Sequence, residues 1–216
     1  MFVGIDFDNT IVSYDELMHA IAAGWGAIPA GTPKNKQTIR DLLRQMPDGE
    51  IVWQRLQAAA YGERIMEAAP AAGVEKFFAF CERHGIPVCI VSHKTEYSNL
   101  GESAVNLRAG AMGWLRQRGL VAGDAGVIRD TAVYFEPTRS AKIERVKKLG
   151  VTHFIDDLVE TFEDPGFPPE VCRILYAGTM SRELRGITRF CAWSEIQDYF
   201  ARATVPPRGK VAPDRE

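Results

Sequence analysis

The sequence is short of cysteine, of long apolar runs and of surplus charge, and each shortage removes a class of function. Four cysteines occur among 216 residues. Cys81, Cys89, Cys172 and Cys191 show no C-x-x-C spacing, which disfavours a zinc cage. Cys89 and Cys172 lie inside apolar runs and are expected to be buried core thiols. No apolar run approaches the roughly 20 residues that span a bilayer. The start of the chain carries no basic segment followed by an apolar signal core. These features read as a cytoplasmic, reduced protein with no membrane role. A formal net charge of -2 argues against a broad nucleic-acid footprint. There is no internal repeat, and nothing points to a particular protein partner.

What is present is an ordinary globular composition, 46% hydrophobic and 25% charged, on a chain long enough for one domain with a large insertion. Residues 2–6 form an apolar run rich in β-formers, expected to be a central buried strand. Ser13-Tyr14-Asp15-Glu16 matches a capping box, with Val12 and Leu17 placed as a staple, so a helix is predicted from about residue 14 towards Gly24. After a Gly/Pro-rich connector, Ile39, Leu42, Leu43 and Met46 give a second helical face. A third helix is predicted over 50–66. Residues 14–70 thus read as a helical block without strands, inserted after the first strand.

The remainder alternates. Strands are predicted over 86–91, 131–135, 151–155 and 171–176. Helices are predicted around Val74–Cys81, over 102–118 and 140–149, and after a Ser194-x-x-Gln197 cap. Strands separated by helices of this length return parallel, so the fold class is α/β with a doubly wound, Rossmann-like parallel sheet. The domain reading is a catalytic core of residues 1–13 and 71–204, a helical cap of 14–70 and a disordered tail of 205–216.

Three apolar strands end in polar residues: Asp6-x-Asp8, Ser92, and Asp156-Asp157. Residues i and i+2 of a strand face the same side, so Asp6 and Asp8 can address one site. Two like charges side by side are costly unless a cation or a shared proton offsets them. Ligands of open α/β sheets bind beyond the carboxyl ends of the strands, so three such ends mark an active site. A calcium loop fails, because its sixth and twelfth positions would be Ile11 and Leu17 instead of Gly and Glu.

Asp6-Phe7-Asp8-Asn9-Thr10 resembles the first motif, D-x-D-x-T, of the haloacid dehalogenase-like hydrolase superfamily. Ser92 is similar to its second-motif serine, Lys142 to its third-motif lysine, and Asp156-Asp157 to its acidic pair. The resemblance covers residues 1 to about 160, with the helical block where the family carries a type 1 cap. It implies a magnesium-dependent phosphatase, a phosphoric monoester hydrolase that acts on a small phosphorylated metabolite through a phosphoaspartyl intermediate. By the same resemblance Asp6 is the nucleophile and Asp8 the general acid/base. Asp6, the Asp8 backbone carbonyl and Asp156 would hold the ion with help from Asp157, and Ser92 and Lys142 would bind the phosphoryl oxygens. Asn9 and Thr10 would hold the turn. A second acid at position 8 favours phosphoryl transfer over dehalogenation. A phosphomutase or phosphotransferase, and a non-catalytic binding module on this fold, are the alternatives.

Several residues carry two readings. Lys142 is either a phosphate ligand or a solvated lysine beside Arg145, Lys147 and Lys148. Lys94 is its rival, and His93 is expected to line the pocket. Lys36, Arg40 and Arg44 share one helical face, either a solvated stripe or, with Trp25 or Trp53, a lid over an anionic substrate. Arg182, Arg185 and Arg189 form a second loose basic group with the same ambiguity.

Overall fold

β1 (Val3–Ile5) is fully buried and central, as its unbroken apolar run requires. The structure is a computed structural model that describes residues 1–97, 105–121, 128–178 and 184–204. After β1 come β2 (Val12–Ser13), α1 (Asp15–Gly24), α2 (Lys36–Leu43) and α3 (Gly49–Ala58). A π-helical turn (Ala59–Glu63) and a 3-10 turn (Ile65–Glu67) lead to β3 (Ala69–Pro70), α4 (Val74–Arg83) and β4 (Val88–His93). The chain continues through α5 (Leu107–Gln117), β5 (Val133–Glu136), α6 (Arg139–Leu149), β6 (His153–Asp156) and α7 (Val159–Phe162). It closes with β7 (Cys172–Tyr176), β8 (Ile187–Phe190) and α8 (Trp193–Thr204). Among the described residues no helix is long and apolar enough to cross a membrane.

Six strands form one parallel sheet in the order β5-β4-β1-β6-β7-β8. This is the doubly wound α/β architecture expected from the alternation of strands and helices. The chain leaves β1 towards β4 on one side and returns to β6 on the other, so the switch point lies at the end of β1. Register sets Ile5 opposite both Ile90 and Ile155. Asp6, Ser92 and Asp156 therefore emerge at one edge.

The period of two splits the strand residues between two cores. Ile90, Ile155 and Ile174 join the cluster under α4, α5 and α8, where Phe77 meets Trp193 and Phe200 at ring-centroid distances of 5.0 and 5.4 Å. Cys89, Val91, Phe154 and Leu175 face the opposite way, against Ile143 and Val146 of α6 and Phe162 of α7. Gly4 is needed where Phe154 crosses β1: a Cβ there would lie 2.7 Å from the Phe154 ring.

Several local expectations change. The Ser13 capping box does not form, because β2 pairs antiparallel with β3 and holds Ser13 extended opposite Ala69. Tyr14 takes the N-cap position without a side-chain cap, and Asp15 instead accepts from the Lys36 backbone at 2.8 Å. Residues 14–70 are therefore not free of strand, since β3 closes the block at its base. The helix expected over 50–66 ends at Ala58 and passes into the π turn, where Gly62 fits closely against Val105 and Leu107.

Ser194 is inside α8 rather than capping it, and Glu195 accepts from the backbone of Cys191 and Ala192 at 2.8 and 3.1 Å. Cys172 opens β7 and is exposed, while Cys89 is buried as expected. β8 is an addition: Ile-Thr-Arg-Phe lies at a sheet edge with Thr188 and Arg189 exposed and Ile187 and Phe190 only partly buried, and it shows little apolar pattern. α5 is described from Leu107, with Asn106 capping Ala109 at 2.8 Å. Residues 105 and 106 of the helix expected from 102 are not helical, Asn106 being its extended N-cap, while residues 102–104, Arg182 and the tail expected to be disordered lie outside the described residues.

Candidate active site

β1 delivers Asp6 to the sheet edge, and the chain then folds back on itself. The Ile11 and Val12 amides both donate to the Phe7 carbonyl, at 3.0 and 3.1 Å. Asn9 takes φ 60 in this turn, a left-handed conformation that asparagine tolerates better than most residues. Thr10 is buried beneath, its carbonyl accepting from the Trp193 indole at 3.1 Å. The Thr10 hydroxyl has no hydrogen-bond partner among the described residues.

Lys142 is buried, 2% exposed, near the start of α6. The Thr138 hydroxyl caps that helix by accepting from Ala141 at 3.1 Å. The Lys142 ammonium donates to Asp6 Oδ1 at 2.5 Å and to Asp156 Oδ2 at 2.7 Å. A solvated lysine is thereby excluded. Asp156 is fully buried and its other oxygen accepts from the Leu158 amide at 3.0 Å. Asp157 is half-buried beside it. One carboxylate oxygen from each of Asp6, Asp156 and Asp157 lies within 4.8 Å of the others.

The electrostatics are those of a crowded acidic cluster. Burial pushes the Asp6 carboxyl up to about 7; Lys142 opposes this, and Asp156 and Asp8 add to it. Asp157 is raised well above the usual carboxylate range by burial and by Asp6 and Asp156. Burial opposes the Lys142 charge, but Asp156 and Asp6 outweigh it and hold its pKa above the ordinary lysine value. One lysine is too little positive charge for these carboxylates. An all-oxygen donor set of this kind suits a hard divalent cation such as magnesium.

Asp8 has its own partners. Lys94, 4% exposed, donates to both Asp8 oxygens at 2.9 Å. The Tyr14 hydroxyl donates to Asp8 Oδ1 at 2.7 Å. Lys94 is fixed from behind: its amide donates to the Glu136 carbonyl at 2.8 Å, and its carbonyl accepts from Arg108 Nε at 2.9 Å. Lys142 and Lys94 therefore both enter the site, on different aspartates. Ser92 is buried at the end of β4, and its Oγ has no hydrogen-bond partner among the described residues.

The helical block contributes residues that sequence reasoning missed or placed differently. Tyr61, in the π turn, packs edge-on against Tyr14 with centroids 4.5 Å apart. Lys94 and Lys36 lie 5.4 and 5.7 Å from the Tyr61 ring centre. Of the basic face on α2, only Lys36 reaches the site. Arg40 pairs with Asp41 at 2.9 Å and Arg44 with Glu50 at 2.7 Å. Trp25 is 50% exposed beyond α1, Trp53 is buried, and neither Trp25 nor Arg40 bonds to the site among the described residues. His93 is exposed, with Nε2 3.1 Å from the Pro137 carbonyl. Burial lowers its pKa first, and the Lys142 and Arg139 charges add to that.

No protein-family model matches the chain, and no curated protein does. Solved structures do. A haloacid dehalogenase-like family hydrolase from Streptococcus pneumoniae matches at 12% identity and TM-score 0.55, over 92% of this chain and 97% of that one. A HAD family hydrolase from Deinococcus radiodurans, solved with bound phosphate and sodium, matches at 16% identity and TM-score 0.54, over 94% and 95%. The chain has the haloacid dehalogenase-like hydrolase fold. A subfamily IA HAD-superfamily hydrolase from Geobacter sulfurreducens adds a match at 15% identity and TM-score 0.52, over 91% and 94%.

Proposed function

We propose that the protein is a hydrolase of the haloacid dehalogenase-like superfamily, a magnesium-dependent phosphatase acting on a small phosphorylated metabolite. The observation that carries this reading is the buried Lys142 bridge between Asp6 and Asp156, with Asp157 completing a cluster of acidic oxygens. It links the ends of β1 and β6 to the start of α6 at the switch point of the sheet. Thiols that are all free fit a reducing compartment, and we place the protein in the cytoplasm.

Asp6, Asp156 and the Asp8 backbone carbonyl would hold magnesium, with Asp157 in support. The ion supplies charge neutralisation, which matters because two unit charges ~4 Å apart repel by roughly 4 kcal/mol at an effective dielectric of about 20. An Asp6 oxygen forms the bond to phosphorus while the ester P–O bond breaks, and the departing oxygen takes a proton from Asp8. Water then attacks the phosphoaspartate, gives its proton to Asp8, and frees Asp6 and phosphate. Ser92 Oγ and the Lys142 ammonium donate to the phosphoryl oxygens as charge builds on them. The Ser92 hydroxyl, unpartnered among the described residues, suits a donor whose partner is the substrate. Tyr14 and Lys94 orient the Asp8 carboxyl beside Asp6.

In this reading residues 14–70 form a lid over a core of residues 1–13 and 71–204, and they exclude water when substrate is bound. The test is phosphate release from a panel of phosphate esters with magnesium. Wild type should release phosphate, and Asp6→Asn should release none. Equal activity of the two proteins would remove Asp6 from the nucleophile role.

A further inference from the structure

Two lysines reach the site besides the one that serves the phosphoryl group. Lys142 and Ser92 serve that group in the reading above, and the inference here rests on that reading. Lys94 and Lys36 belong to a different wall. They come from opposite sides, Lys94 from the sheet edge and Lys36 from α2 of the helical block, and both lie over the ring of Tyr61. Lys94 spends two N–H donors on the Asp8 oxygens, and an ammonium has three. The Lys36 ammonium interacts with the Tyr61 hydroxyl, and that contact with the Asp157 and Asp8 charges keeps its pKa raised although burial opposes it. Lys36 is thus a charged group aimed into the site from the block that covers it.

Lys36 and Lys94 bring two positive charges to the Tyr61 ring; Asp8 meets the Lys94 charge, and the half-buried Lys36 forms no ion pair among the described residues. A buried lysine is costly without an anion to meet it. A solvated surface lysine would have no reason to lie against Tyr61, and Arg40 and Arg44 on the same helix show the alternative, pairing with nearby acids outside the site.

We infer that the substrate carries a second anionic group, a carboxylate or a second phosphate, on its leaving-group side, and that Lys36 and Lys94 bind it against Tyr61. Three probes differ only in that group: propyl phosphate, 2-carboxyethyl phosphate and the bisphosphate of 1,2-ethanediol. Binding is measured by calorimetry with magnesium and the full-length Asp6→Asn protein, and turnover of the same three compounds with wild type. One added charge-assisted hydrogen bond predicts that an acidic probe binds on the order of tenfold or more tightly than propyl phosphate. Carboxylate and bisphosphate arms show which anion is preferred. Lys36→Met should reduce that preference to less than about threefold.

Propyl phosphate binding as tightly as both acidic probes overturns the inference. So does a Lys36→Met protein that weakens all three probes equally, because a merely structural lysine would act that way. Preferential binding of an acidic probe with no turnover of any ester would support this site and count against the phosphatase reading. Turnover that favours propyl phosphate would do the reverse.

Discussion

Replacing Lys142 with methionine shortens the side chain by one heavy atom and removes its charge. In the structure that charge serves two carboxylates at 2.5 and 2.7 Å, all three groups being nearly or fully buried. Breaking a buried pair by removing one partner typically costs about 3–5 kcal/mol, because the other charge stays buried and uncompensated. The cost should depend on pH. Asp6 stands near 7 in the folded protein against 3.8 for the free group, so the folded state holds more protons than the unfolded state between those values. Its contribution to stability therefore falls as pH rises through this window.

Lys142 restrains that fall by lowering the Asp6 pKa, and its loss should steepen it. Denaturant unfolding without metal at about pH 5 and pH 8 should show a larger deficit for Lys142→Met at the higher pH. Phosphatase activity should fall at least about a hundredfold, the usual effect of deleting one donor to the transition state. A deficit below about 1 kcal/mol, or one equal at both pH values, would refute the buried bridge as described.

Ser92→Ala removes a buried hydroxyl that has no partner among the described residues, so it should leave stability unchanged or raise it by up to about 1 kcal/mol in denaturant unfolding. The same change should lower kcat/KM by roughly a hundredfold. Gly4→Ala sets a Cβ 2.7 Å from the Phe154 ring and should cost about 1–3 kcal/mol, read as a lower Tm. Magnesium should raise the Tm, by the equivalent of about 2.7 kcal/mol at a hundred times its Kd. The gain should be greater at pH 8 than at pH 5, where protons on Asp6 and Asp157 compete with the ion.

The sheet and the polar strand ends were legible because both follow from short-range patterns. An apolar run that stops at Asp6, Ser92 or Asp156 states its strand and its edge together. The capping box misled because Ser13-x-x-Glu16 is a local signal, whereas the pairing of Ser13 with Ala69 joins residues far apart in sequence. Helical spacing put Lys36, Arg40 and Arg44 on one face correctly. It does not report that Asp41 and Glu50 hold the two arginines and leave Lys36 for the site. Tyr14 and Tyr61 left no such mark. An aromatic at a helix start or in a helical stretch reads as packing, and only the folded chain brings the Tyr14 hydroxyl to Asp8. Cys172 misled for the opposite reason: its apolar neighbours are buried further along β7, while the strand starts at an exposed edge.

The most direct test of the account is to catch the phosphoryl group on Asp6. Wild-type protein with magnesium and a turned-over phosphate ester is quenched with acid within milliseconds, digested and examined by mass spectrometry. The account predicts a phosphoryl adduct on the peptide that carries Asp6, absent from Asp6→Asn. Full turnover with no adduct at any quench time, or turnover by Asp6→Asn at the wild-type rate, would contradict it.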